Sequence, residues 1–243
     1  MSEPFNPAEG YLGGYHPRDG TVEFFGRIRG ILEPSFTVLD LGAGRGSWYF
    51  EDQCELRRKV REMKGKVKRV IGLDVDSVVM DNPTTDENGL IENGVLPLKN
   101  DSVDVIISDY VLEHIENVED FFSEVDRVLK PGGYFFARTP HSWNYVSLMA
   151  RLIRNDDHAE FLKTAQPNRK PEDVFPTYYR LNTRRQISRV FKGYENYSYL
   201  YRTEPAYYFG SKTIYKIAAF GHMTLPSVLV ANLFVMLRKR ETA

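Results

Sequence analysis

The chain is predicted to fold as an α/β protein with a doubly wound, mostly parallel sheet, and three observations carry that prediction. Strand-like and helix-like segments alternate through residues 36–138. The strands are continuous apolar runs, which a sheet covered on both faces requires. The first strand also runs into a turn with glycine at alternate positions, Gly42, Gly44 and Gly46, and a helix opens after it. At 243 residues, 42% hydrophobic and 27% charged, the chain suits one core with a modest subdomain.

Each element follows from local pattern. Residues 1–20, rich in glycine, proline and aromatic residues, have no period and read as an irregular arm. Thr21 to Leu32 places Val22, Phe25, Ile28, Ile31 and Leu32 at helical spacing, and Pro34 ends that helix. Phe36 to Leu41 is a buried strand, Ser47 to Met63 a charged helix, and Lys66 to Leu73 a second strand ending at Asp74. Val103 to Ser108 is a third strand. Asn117 to Leu129 is a helix with Val118, Phe121, Phe122, Val125, Val128 and Leu129 turned inward, stopped by Pro131-Gly132-Gly133. Tyr134 to Arg138 is the next strand. Residues 139–180 break the alternation and read as a helical insertion over the ligand edge of the sheet. Thr183 to Phe191 returns to the core as a helix, and Glu195 to Tyr201 and Val228 to Leu237 supply the last strands. The organisation is an arm (1–20), an α/β core (21–138), an acceptor-side insertion (139–180) and the rest of the core (181–243).

Composition narrows the setting. The single cysteine, Cys54, allows no intrachain disulfide and suits a reducing cytosol. The N-terminus lacks the basic start and apolar run of a signal peptide. Ile217 to Leu237 carries no acid, lysine or arginine and has the length of a spanning helix, but Gly221, His222, Pro226 and Asn232 interrupt it. It reads instead as a short helix, a turn at Pro226 and a strand, so the chain is expected to be cytoplasmic with no transmembrane segment. The net charge of −1 hides an asymmetry, with about 15 Lys and Arg against 25 Asp and Glu before residue 138, and about 17 against 8 after it. A basic back half would draw an anionic acceptor, unless those residues are scattered over solvated faces.

The glycine-rich turn, Val38-Leu39-Asp40-Leu41-Gly42-Ala43-Gly44-Arg45-Gly46, is the strongest chemical signal. Glycine lets the backbone turn tightly and approach a ligand, and a helix start offers N–H groups to anionic atoms. Such a turn could serve a dinucleotide. Asp40 before the turn, Asp74 at the end of the next strand and the downstream pattern sharpen the reading, and the spacing departs from G-x-G-x-x-G.

These segments resemble the class I S-adenosylmethionine (SAM)-dependent methyltransferases. VLDLGAGRG is similar to their first motif, IGLDVD to the segment after the second strand, VLPLKNDSVDVIISDYVLEHI to the adenine-side loop and fourth strand, and VEDFFSEVDRVLKPGGYFFARTP to the fifth-strand unit. The resemblance covers residues 36–140. It implies a seven-stranded Rossmann-like sheet and SAM as cofactor. It assigns Gly42, Ala43, Gly44 and Gly46 to the methionine part, Asp40 to its ammonium, Asp74 to the ribose hydroxyls and Val75 to the adenine face. Glu92 and Asn93 would stand by the adenine amino group, although Ile91 to Val95 departs from the family pattern. Asp109 and Tyr110 follow the fourth strand, where Tyr110 would close over the methionine part.

A hydroxyl acceptor needs a proton removed. His114, in Ser108-Asp109-Tyr110-Val111-Leu112-Glu113-His114, is the first candidate base, and His141, directly after the fifth strand, is the second. Either could equally be fixed by backbone contacts. Related ubiquinone O-methyltransferases have Glu-x-x-Glu-His at this point, but Tyr110 replaces the first Glu, and too few ligands remain to predict a metal. The arm, with Tyr15 among its glycines, could close as a lid over an acceptor. Glu172 to Thr183 resembles a segment of methyltransferases of bacterial glycan and cell-surface polysaccharide pathways, which places Tyr178, Tyr179 and Arg180 in an acceptor pocket. The expectation is transfer, at oxygen, to a small molecule or glycan. A tRNA methyltransferase is the alternative, disfavoured because there is no Lys/Arg block and no RNA-binding module. A SAM-binding scaffold without catalysis is the second alternative. Oligomeric state has no signal.

Overall fold

A computed structural model describes residues 5–145, 147–148, 175–205 and 208–241. Most of the predicted insertion, residues 149–174, lies outside them.

Among the described residues the sheet runs in the order β3-β2-β1-β4-β5-β8-β6, with β7 also on β8. The strands are β1 (Thr37–Leu41), β2 (Arg69–Asp74), β3 (Glu87–Leu90), β4 (Val103–Asp109), β5 (Leu129–Pro140), β6 (Tyr194–Asn196), β7 (Tyr199–Tyr201) and β8 (Asn232–Lys239). β1 to β5 pair in parallel, and β8 is antiparallel to β5, β6 and β7. β6 and β7 share one register on β8 and form one strand interrupted at Tyr197-Ser198. There the Ser198 amide donates to Asn196 Oδ1, and Ser198 Oγ accepts from the Met236 amide. The sheet therefore has the seven positions expected.

Continuous apolar strands feed two cores. Leu39, Ile71, Ile106, Phe135 and Val235 face one side, and Val38, Val70, Val105, Ile107, Phe136 and Phe234 face the other. The first side is covered by α4 (Val118–Val128) and α5 (Arg184–Val190) through Val125, Val128 and Ile187. The second is covered by α1 (Gly20–Arg29) through Phe24, Phe25 and Ile28. Asp19, Asn117 and Thr183 cap these three helices by accepting first-turn amide hydrogen bonds.

Three expectations changed. The helix expected over Ser47 to Met63 is two, α2 (Trp48–Glu51) and α3 (Glu55–Arg61). Asp52 breaks it: its Oδ1 accepts the Cys54 amide at 2.9 Å and its carboxylate binds Arg57. β3 escaped the sequence reading because Glu-Asn-Gly-Leu offers almost no apolar signal; the Asp86 carboxylate, accepting from the Val70 amide at 2.8 Å, anchors its start. The strand expected from Val228 begins only at Asn232, after α6 (Lys212–Thr224) and a single turn α7 (Ser227–Val230). No helix of the described residues is long and apolar enough to cross a membrane.

Candidate functional site

The carboxyl ends of β1, β2, β4 and β5 converge on one edge, where a doubly wound sheet binds its ligands. The glycine turn leaves β1 there. The Gly42 and Ala43 amides donate to the Leu73 carbonyl at 2.7 and 3.1 Å, which folds the turn across the end of β2. The Gly44 amide donates to Asp74 Oδ2 at 2.8 Å, and the Asp76 amide to Asp74 Oδ1 at 3.0 Å. Asp74 thus orients both loops and retains a lone pair on each oxygen for a ligand.

Gly42 and Gly44 are glycines for different reasons. A Cβ on Gly42 would meet Val111 Cγ2 at 2.2 Å, so that site is closed by the protein itself. Gly44, at φ +53°, has nothing within 4 Å of a Cβ position, so its missing side chain leaves open space beside Asp74. Asn82, buried, holds the turn from below by donating to the Ala43 and Gly44 carbonyls at 3.1 and 3.0 Å. The sequence reading missed Asn82. Its only signal is a run of turn-forming residues, which marks a loop and not what the loop supports.

Behind the turn sits a charged set. Asp40 is half-buried and, among the described residues, its carboxylate makes no hydrogen bond or ion pair. Desolvation, with repulsion from Asp109 and Asp74 and attraction only from Arg61, raises its carboxyl to about 7. Asp109 is held by Arg138 in two 2.7 Å hydrogen bonds, and Arg61 lies 3.6 Å away. Burial would lower the Arg138 pKa, and Asp109, with Tyr110 and Asp19, more than offsets it. Burial depresses that of Arg61, whose guanidinium lies 4.8 Å over the Trp48 ring. Asp109 therefore has its oxygens engaged by protein.

Val75 is 65% exposed at the end of β2, as a face for a planar ring requires. Glu92 and Asn93 are exposed on a tight turn closed by a Glu92–Val95 bridge, in which Asn93 and Gly94 both have positive φ. They line a pocket of about 710 Å³ at the β3 edge, next to Asp74 through the Ile91 amide bond to the Asp74 carbonyl. Tyr110, at φ +60°, has a 39% exposed side chain, its ring lies 4.7 Å from the Arg138 guanidinium, and its hydroxyl accepts from Asn232 Nδ2 at 2.8 Å.

The two histidines are held by different elements. His114 Nδ1 lies 2.7 Å from the Pro176 carbonyl, which can only accept, so Nδ1 carries the proton and Nε2 is the basic end. His141 is buried at the end of β5 with Nδ1 3.1 Å from the Val228 carbonyl, and desolvation lowers its pKa. Tyr178 and Arg180 are exposed on the His114 side, the guanidinium 5.7 Å over the phenol ring and bonded to the Glu116 carbonyl. Tyr179 is instead buried, at φ +54°. Tyr15 is half-buried in the arm, its ring folded against Gly13. Among the described residues no three His, Cys, Asp or Glu side chains group as metal ligands.

A family model described as a methyltransferase domain matches residues 39–137, the span that builds this edge. That match covers less than half of the chain. A Mycolicibacterium smegmatis protein named "Probable S-adenosylmethionine-dependent methyltransferase" is 41% identical over 81 residues, 30% of each chain. The ribosomal RNA large subunit methyltransferase E of Rhodopseudomonas palustris is 31% identical over 160 residues, 58% of this chain and 64% of that one. The chain thus spans less than two thirds of the length of these relatives. A SAM-dependent methyltransferase structure from Methanosarcina mazei shares the fold with a TM-score of 0.55 at 17% identity, over 89% of this chain and 98% of that one. This edge has a cradle that fits SAM: an open glycine, a carboxylate with lone pairs to spare and a second carboxylate that has no partner among the described residues.

Proposed function

We propose that the chain binds SAM at this cradle and transfers its methyl group to an oxygen of a small-molecule or saccharide acceptor, in the cytoplasm, in bacterial cell-surface glycan biosynthesis. The open space at Gly44 beside Asp74 and the unpartnered Asp40 carry this reading. Bound SAM supplies an electrophilic methyl on a positively charged sulfur. Asp74 accepts the ribose hydroxyls, Asp40 takes the ammonium, Val75 covers the adenine, and Glu92 and Asn93 border its amino edge. Gly42, Ala43, Gly44 and Gly46 shape the backbone around the methionine part. Asp109 acts through Arg138, fixing the end of β4 so that Tyr110 faces the site. His114 receives the acceptor proton at Nε2, with His141 as second choice, and Tyr15, Tyr178, Tyr179 and Arg180 belong to the acceptor side.

The glycan assignment rests on Glu172 to Thr183, of which residues 172–174 lie outside the described residues. The ribosomal RNA methyltransferase relative covers more of this chain than the other relative does, so RNA belongs in the test. Methyl-labelled SAM is incubated with the protein and a panel of glycans, small hydroxylated molecules and RNA. Label on a hydroxyl of a glycan or small molecule is the expected outcome; label on RNA alone would refute the acceptor, and label on nothing the transfer.

A further inference from the structure

Among the described residues, Glu204 Oε2, Tyr215 Oη and His222 Nε2, on the acceptor side, are buried polar atoms with no hydrogen-bond partner. Folded interiors rarely tolerate such atoms, because each has given up a hydrogen bond to water. Tyr215 and His222 are 8% and 3% exposed. Both lie on α6, at spacing seven, so they share a face of that helix. Glu204 follows β7, at the same carboxyl edge that carries Asp109 and Arg138. The Glu204 charge also adds to the field at the Tyr110 phenol.

The donor and acceptor character of these atoms follows from their neighbours. His222 Nδ1 lies 2.9 Å from the Thr203 carbonyl, so Nδ1 carries the hydrogen and Nε2 presents a lone pair. His16 Nδ1 is 3.9 Å from Glu204 Oε2 but accepts the Arg18 amide at 2.9 Å, so it gives Glu204 no proton. Tyr11 comes near enough to raise the Tyr215 hydroxyl, but the pair does not reach hydrogen-bond geometry. His222 Nε2 and the Glu204 carboxylate therefore accept, and the Tyr215 hydroxyl can donate or accept.

Charge selects among donors. Arg138 is taken by Asp109, and Arg57 by Asp52 and Asp19, and an anion would meet the Glu204 carboxylate beside Asp19. Burial, reinforced by Asp19, raises the Glu204 carboxyl to about 7. Burial, with Arg18 and Arg202, lowers His222, and the same arginines repel a cation. A neutral hydroxyl remains. Tyr208 packs edge-to-face with Tyr215, ring centroids 5.5 Å apart, and Tyr145 with His222 at 5.7 Å.

We propose that Glu204, Tyr215 and His222 form a subsite for a neutral, polyhydroxylated part of the acceptor, such as a sugar ring. This rests on the methyltransferase reading and adds to it the groups that hold the acceptor. The test uses ligand-observed NMR with the methyl glycosides of glucose, galactose, mannose and rhamnose as probes. Calorimetry with S-adenosylhomocysteine and thermal melts run in parallel, on wild type, Tyr215→Phe and Glu204→Gln. At least one glycoside should bind wild type and bind both variants about ten-fold or more weakly, the scale of one lost hydrogen bond. S-adenosylhomocysteine affinity should hold, and neither variant should melt lower, because neither altered atom has an internal partner. No glycoside binding, equal binding by the variants, or lower melting would overturn the subsite while the methyltransferase reading stands. If S-adenosylhomocysteine fails to bind wild type, both fall together.

Discussion

The cofactor side and the acceptor side of the sheet edge satisfy their polar groups in opposite ways. On the cofactor side the groups that shape the cradle are spoken for: Asp74 by two amides, Asn82 by two carbonyls, Asp109 by Arg138. Asp40, Arg61 Nε and Ser108 Oγ are exceptions. On the acceptor side Glu204, Tyr215 and His222 leave buried atoms unpaired. A cradle shared by a family can be preorganised from backbone and short side chains, at little cost when empty. A site for one particular acceptor must hold its recognition groups out of water until that acceptor arrives. If the contrast is real, variants on the two sides should separate stability from binding in opposite senses.

The largest effect is expected at Gly44. Gly44→Val fills the open space and strains a φ of +53°, and should abolish SAM binding in calorimetry while the two cores and the far-UV spectrum persist. Normal affinity would remove the turn from the site. Next comes His114→Ala, which should lower turnover by about 10²–10⁴-fold with SAM affinity unchanged, while His141→Ala acts less. A wild-type rate in both at every pH would end the histidine-base assignment. Asp74→Ala follows. Two hydroxyl contacts of about 1.5–3 kcal/mol each are lost, and the Gly44 and Asp76 amides lose their acceptor as well. SAM affinity should therefore fall and the melting temperature with it, since Asp74 serves fold and ligand together. A variant that keeps its affinity would place the ribose elsewhere.

The same contrast explains what the amino-acid sequence made legible. The cofactor side is local: Val38 to Gly46 and Ile71 to Asp74 are short, contiguous and patterned, because a strand, a turn and a carboxylate must follow one another in chain order to make a cradle. The strands β1, β2, β4 and β5 and the helices α4 and α5 were legible for the same reason. The acceptor side is assembled across the chain. Glu204 takes its meaning from Asp19 and Arg138, far away in sequence, and from a burial that no window of residues displays. Asn82 and Arg61 were invisible likewise, since their partners lie about 40 to 50 residues away. Even β3 and the break at Asp52 turn on single side-chain hydrogen bonds that compete with local propensity.

Asp40 gives the smallest effect and the sharpest comparison, because it is a cofactor-side carboxylate treated like the acceptor side. Its carboxyl is raised to about 7 in the folded protein, against about 3.9 in an unfolded chain. Between those values the folded state binds more protons than the unfolded state, so stability falls as pH rises through that window and levels off above about 7. Asp40→Asn removes the charge and the penalty. At pH 8 the free variant should be more stable than wild type by about 1–3 kcal/mol, a discounted figure because water reaches this half-buried group, or about 2–10 °C in melting temperature. The gain should shrink as pH is lowered toward 5. Affinity for SAM should move the other way: the variant loses the partner of the ammonium, and wild-type affinity should rise with pH as Asp40 ionises, until the ligand's own ammonium begins to lose its proton. A variant that melts below wild type at every pH would show Asp40 to be structural. A gain independent of pH would show that its charge is not what strains the fold. A gain that grows with pH, joined to weaker SAM binding, is the signature of a carboxylate kept unpaired for a cation.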